Sequence, residues 1–117
     1  MKKRILIVGH EEDNRITIKE ILEKNGFDVF LAANGDDCLR QLEKNKVDLI
    51  LLNILMPGKP VREVIKNITN TKIAYFSTVR TSEAEREELL KPKNIVDFIQ
   101  KPFDVNELLK KVKKHTL

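Results

Sequence analysis

Short apolar runs alternate with amphipathic stretches five times along this chain, and that rhythm admits few folds other than βα units around a parallel sheet. The first run, Ile5 to Val8, is apolar without interruption, as a strand covered by helices on both faces must be. Asp13 to Asn25 reads as a helix, with Ile18, Ile21 and Leu22 on one stripe and Gly26 placed to end it. Val29 to Ala32 is a second strand. Asn34-Gly35 then turns the chain into a helix over Asp36 to Lys44, whose inward stripe is Cys38, Leu39 and Leu42. Val47 to Leu52 forms a third strand that ends at Asn53.

The second half repeats the unit. Pro57, Gly58 and Pro60 exclude regular structure from the Met56 to Pro60 loop, after which Val61, Val64, Ile65 and Ile68 mark a third helix. Lys72 to Phe76 is a fourth strand. Ser82-Glu83-Ala84-Glu85 has the spacing of a capping box and starts a fourth helix, which Pro92 stops. Ile95 to Gln100 is a fifth strand. Asp104 caps a last helix with Val105, Leu108, Leu109 and Val112 turned inward. Five strands and five helices in strict alternation predict a flavodoxin-like (βα)5 doubly wound α/β domain, a five-stranded parallel sheet of order 2-1-3-4-5 with right-handed crossovers. Ligand chemistry in that architecture sits at the C-terminal strand ends. Here these are Gly9, His10 and Glu11, then Asn53, then Ser77 and Thr78, then Lys101.

With 117 residues the chain suits a single domain over residues 1–117, able to bury roughly two-thirds of its unfolded surface without disulfides or metal. The residues are 41% hydrophobic and 34% charged, and no apolar stretch is long enough to span a bilayer. Met1-Lys2-Lys3-Arg4 runs straight into the first strand without the length or cleavage site of a signal peptide. A cytoplasmic location is therefore expected. The one cysteine, Cys38, excludes an internal disulfide and any multi-cysteine metal site, and its position is that of a small core hydrophobe. Net charge is +4, with Lys110, Lys111, Lys113, Lys114 and His115 crowded into the last turns. Cations there satisfy the helix dipole, and no aromatic residues interleave with them as a stacking surface for nucleic acid would require.

The strand Val47-Asp48-Leu49-Ile50-Leu51-Leu52 ending at Asn53, the following Ile54-Leu55-Met56-Pro57-Gly58, and the later Lys101-Pro102-Phe103 together resemble the receiver domain of two-component response regulators, the CheY-like fold. The resemblance implies an acidic pair after the first strand and an acceptor aspartate after the third. These hold a Mg²⁺ while a hydroxyl and a lysine bind the phosphoryl oxygens, because phosphoryl transfer is mostly positioning and charge neutralisation. In this chain Gly9 and His10 match the acidic pair and Asn53 matches the acceptor, so all three carboxylates are replaced. Ser77 matches the hydroxyl and Lys101 the lysine, which retains the anion-binding half of the pocket. Phe98 matches the aromatic that follows the hydroxyl inward on activation, although core packing alone also accounts for a phenylalanine there. Lys101-Pro102 resembles the family's cis peptide. Lys59-Pro60-Val61 departs from the usual Asp-Gly after Met-Pro-Gly.

Glu11, Glu12 and Asp13 read as charges opening a helix rather than replacement ligands, and a single loop histidine, His10, lacks the partners of a metal site. No metal and no cofactor is expected, and the chain is not read as an enzyme. An unpaired Lys101 requires compensation by water, by the Asn53 oxygen or by a bound anion. The leading expectation is an atypical receiver that acts by protein-protein interaction, with a kinase or an output protein docking on the fourth helix, fifth strand and fifth helix, or with a second copy as a homodimer. A phosphorelay receiver with an unconventional acceptor, His10, Ser77 or Glu11, is the alternative. Nucleic-acid binding through the basic last helix is a weaker one, and no membrane contact is expected.

Overall fold

The computed structural model describes residues 2–55, 58–77, 82–100 and 104–117. Within them the chain forms β1 (Arg4–Val8), α1 (Glu12–Lys24), β2 (Asp28–Ala32), α2 (Gly35–Lys44), β3 (Leu49–Asn53), α3 (Val61–Lys66), β4 (Lys72–Ser77), α4 (Glu83–Leu90), β5 (Ile95–Gln100) and α5 (Val105–His115). The strands make one parallel sheet of order β2-β1-β3-β4-β5, which is the predicted doubly wound, flavodoxin-like architecture. Central strands carry the uninterrupted apolar sequences: Ile5 to Val8 and Leu49 to Leu52 are all buried. The edge strands β2 and β5 are only partly covered.

Alternation along the strands splits the core into two layers. Leu6, Val8, Ile50, Leu52, Ile73 and Tyr75 face α2, α3 and α4. Ile5, Ile7, Leu49, Leu51, Ala74 and Phe76 face α1 and α5. Burying each of the Leu, Ile, Val and Phe side chains among them stabilises the fold by about 1.5–3 kcal/mol. Cys38 is fully buried in the first layer, and burial, followed by the neighbouring Asp37 charge, pushes its thiol up to about 12. It is a core residue, as its position predicted.

Helix ends follow the predicted punctuation. Gly26 adopts φ +90, and bonds from Gly26 N to the Glu23 carbonyl and from Phe27 N to the Leu22 carbonyl close α1 in a Schellman motif. Ser82 Oγ accepts from Glu85 N, and Asp104 Oδ1 accepts from Glu107 N.

Three details correct the sequence reading. β3 begins at Leu49 rather than Val47, because the Asp48 carboxylate takes the Arg4 N–H at 2.8 Å in place of a strand carbonyl. α3 ends at Lys66, two residues before Ile68, where i to i−3 bonds from Asn67 and Ile68 tighten and finish the helix. Val105 is 47% exposed, not inward. The buried line of α5 runs through Leu108 and Val112, and Val105 falls off its end.

Candidate functional site

The parallel topology brings the ends of β1, β3 and β4 to the same edge of the sheet. Val8 pairs with Leu52, and Asn53 pairs with Phe76, so Gly9 adjoins Asn53 while Ser77 follows one residue beyond the partner of Asn53. Gly9 is buried, and a Cβ built on it stands 3.6 Å from Asn53 Cβ, 3.6 Å from Phe76 Cζ and 3.7 Å from Asn53 Nδ2. Those are ordinary contact distances, and Gly9 is not among the residues with positive φ. Nothing in the backbone therefore demands glycine at this position. Gly35 is the contrasting case: its Cβ would stand 2.4 Å from Val64 Cγ2, so the close approach of α2 and α3 does require it.

The polar groups at this edge are engaged with the backbone. Asn53 Oδ1 accepts from Leu55 N at 3.2 Å, an Asx-type turn that fixes the start of the loop after β3. Arg15 reaches back from α1, and its guanidinium donates to the Gly9 carbonyl. Apolar periodicity gives Arg15 no role, although a cation near the start of the helix that follows the site is a usable signal. His10 is exposed. Glu11 caps α1 only as backbone, and its carboxylate accepts from Asn14 Nδ2 at 3.1 Å. Glu12 and Asp13 are exposed first-turn residues. Among the described residues no three His, Cys, Asp or Glu side chains converge as a metal site would need. The side chains that Gly9, His10 and Asn53 present do not fit Mg²⁺, a hard cation that wants several carboxylate oxygens.

Ser77 ends β4, is 1% exposed, and its carbonyl accepts from Gln100 Nε2 at 3.1 Å. Lys101, the peptide to Pro102, Phe103 and Thr78 lie outside the described residues, as do Met56 and Pro57. Phe98 is buried in β5, 6.1 Å from the Tyr75 ring centroid in an edge-to-face arrangement. The Arg86 guanidinium lies over the Phe98 ring, 4.4 Å from its centroid. Tyr75 donates its hydroxyl to the Leu89 carbonyl at 3.0 Å, and burial pushes that hydroxyl up to about 12. Thus α4 is fixed to β4 and β5 through one packed cluster.

A second cluster joins β5 to α5. His115 Nε2 lies 2.9 Å from Asp97 Oδ2, and Lys111 Nζ lies 3.5 Å from Asp97 Oδ1. Burial alone would raise the Asp97 carboxyl. The His115 hydrogen bond, the Phe98 N–H and the Lys111 charge together outweigh burial and hold it below the usual aspartate value. In the sequence His115 reads only as part of the basic tail. The missed signal was Asp97 itself, an acid inside the apolar run from Ile95 to Ile99, which requires a partner once buried.

The chain matches the family model for the response regulator receiver domain over residues 5–113. It is 31% identical to sporulation initiation phosphotransferase F of Bacillus subtilis, with 98% of this chain and 94% of that protein aligned. It is 30% identical to the alkaline phosphatase synthesis transcriptional regulatory protein PhoP of the same organism, over 97% of this chain but 48% of that longer protein. Among solved structures, a chemotaxis protein CheY4 from Vibrio cholerae superposes with a TM-score of 0.85 at 25% identity, covering 100% of both chains. A CheY-like receiver domain protein from Methanospirillum hungatei superposes with a TM-score of 0.87 at 26% identity, covering 97% of this chain and 93% of that one.

Proposed function

The chain belongs to the response regulator receiver family of two-component signalling, and we propose that it works there as an atypical receiver, a protein-interaction module without conventional aspartyl phosphorylation or Mg²⁺ binding. Receiver domains are signalling modules that meet kinases and output proteins, and this one is proposed to act as a single cytoplasmic unit. One observation carries the proposal. Gly9 lies against Asn53 with room for a side chain and no backbone need for glycine, yet neither position supplies a carboxylate. A carboxamide is no phosphoryl acceptor, and its oxygen already holds Leu55 N.

The docking surface in this reading is α4, β5 and α5. Phe98, Tyr75 and Arg86 tie α4 to the sheet, and Asp97 with His115 and Lys111 ties α5 to it. Leu90 and Val105 are exposed on these two helices, 39% and 47%, as apolar anchors for a kinase, an output protein or a second copy. Ser77 and Lys101 are assigned the retained anion-binding positions, and Phe98 the aromatic of the switch.

Incubation with a small phosphodonor and Mg²⁺, read by intact mass, tests the proposal. Neither the natural chain nor Asn53→Asp alone is expected to gain a phosphoryl group, whereas acids at positions 9, 10 and 53 together restore labelling. Labelling of the natural chain, on His10, Ser77, Glu11 or any other side chain, would overturn the reading. So would efficient labelling of the single Asn53→Asp variant.

A further inference from the structure

Among the described helices α3 is the shortest, and a cleft of about 580 Å³ lies between it with the turn that follows and the C-terminal end of α4. The volume lies in the range of small-ligand clefts, roughly 300–1,000 Å³. Ile65, Ile68, Leu89 and Pro92 form an apolar floor. Both walls are fixed in place. Asn94 Nδ2 donates to the Ile68 and Thr71 carbonyls at 2.8 and 3.0 Å, and Tyr75 holds the Leu89 carbonyl at 3.0 Å. Those bonds use the Asn94 amide hydrogens, so the floor selects for an apolar group rather than reading a polar one.

The rim has the opposite character. Arg62, Lys66 and Lys93 are exposed around the mouth, against one carboxylate, Glu88, which Lys91 already holds at 2.6 Å. We propose that this cleft is a second docking site, separate from the α4-β5-α5 surface, and that its occupant is an acidic peptide segment of a partner protein that inserts one aliphatic or aromatic side chain. Charge complementarity at the rim steers and orients such a segment, and the apolar floor anchors it. A nucleic acid matches the cations but not the floor, which has no aromatic ring on which a base would stack.

The test is selection from a displayed library of random dodecapeptides on the full chain, counter-selected against the Lys66→Glu/Lys93→Glu variant. Selected peptides are expected to carry Asp or Glu flanking one large apolar residue. Their binding should weaken by about tenfold or more in that variant and at high salt. They should shift the NMR signals of the Ile65, Ile68 and Leu89 methyls. Lys2→Glu/Lys3→Glu, outside the cleft, should leave binding unchanged, and circular dichroism establishes that both variants are folded. Enrichment of basic peptides, no enrichment over the variant, or shifts confined to other residues would overturn the proposal. Two further results would also overturn it: duplex DNA binding that depends on Lys66 and Lys93, or self-association abolished by the same variant, which would assign the cleft to a second copy.

Discussion

The strand ends that carry Gly9 and Asn53 and the junction of β5 with α5 handle charge in opposite ways. At the first, the side chains of Gly9, His10 and Asn53, proposed to match the family's acidic positions, are a hydrogen atom, an exposed imidazole and a carboxamide bonded to its own loop. At the second, an aspartate, a histidine and a lysine converge inside a mostly buried junction. An ionic cluster is costly to bury unless its members are paired and hydrogen-bonded, and Asp97 meets that condition with three donors. The chain thus keeps a demanding electrostatic arrangement where it fastens a helix of the proposed docking surface, whereas Gly9, His10 and Asn53 supply no carboxylate at the positions proposed to match the family's acidic ones.

Restoring charge to the first region should break the contrast most strongly. Gly9→Asp, His10→Asp and Asn53→Asp together crowd carboxylates at this edge, those at 9 and 53 most closely, since a Cβ at position 9 stands 3.6 Å from Asn53 Cβ. Like charges so close cost about 2–4 kcal/mol at a partly buried site. Thermal unfolding should show the variant well below the natural chain without divalent cation and recovering with millimolar Mg²⁺. The natural chain should show no such Mg²⁺ response, and an equal response in both would dissolve the distinction.

Next in size is a comparison of two glycines at the same end of the sheet. Gly35→Ala drives a methyl into Val64, which is fully buried, and overpacking of this kind costs about 1–3 kcal/mol. Gly9→Ala meets only ordinary contacts and should change stability by no more than about 0.5 kcal/mol. Urea midpoints measure both. Equal losses would mean that Gly9 is held by the fold rather than free to have carried a carboxylate.

Asp97→Asn probes the second region. The side chain retains 21% exposure, so the loss of ionic hydrogen bonding is expected to be about 1 kcal/mol at neutral pH. The sign of its pH dependence follows from the lowered carboxyl value. Stabilisation is present in full above the unfolded-state value, near 3.9 for aspartate, and disappears as pH falls through the lower folded value. The natural chain should therefore lose stability faster than Asp97→Asn below about pH 4, and parallel acid limbs would remove Asp97 from the cluster's energetics.

Much of this was legible in the residues. Uninterrupted apolar runs such as Leu49 to Leu52 announced central parallel strands, and Gly26, Ser82 and Asp104 marked helix ends that the structure places as expected. The juxtaposition of Gly9 with Asn53 followed from the strand order alone. What periodicity did not reveal depends on side-chain geometry between distant segments. Asp97 and His115 are eighteen residues apart, and no local pattern joins them. The early end of α3 rests on carbonyl bonding after Lys66 that the apolar spacing of Val61, Val64, Ile65 and Ile68 does not encode.

The smallest expected effect concerns Asn53 itself. Its side-chain oxygen makes a 3.2 Å bond to Leu55 N in an exposed loop, where water replaces a lost partner readily, so Asn53→Ala should cost about 0.5 kcal/mol, the low end for a single hydrogen bond. Asn53→Asp preserves an oxygen acceptor for the same N–H and should be nearly neutral by that criterion, apart from introducing a negative charge. Amide exchange at Leu55 separates the two cases, with faster exchange expected in the alanine variant and near-natural exchange in the aspartate one. Natural-like exchange in both would mean that Asn53 does not hold the turn. If instead the turn depends on Asn53 as expected, the residue has a structural use that needs no phosphoryl group, which is what a receiver working without aspartyl phosphorylation requires at this position.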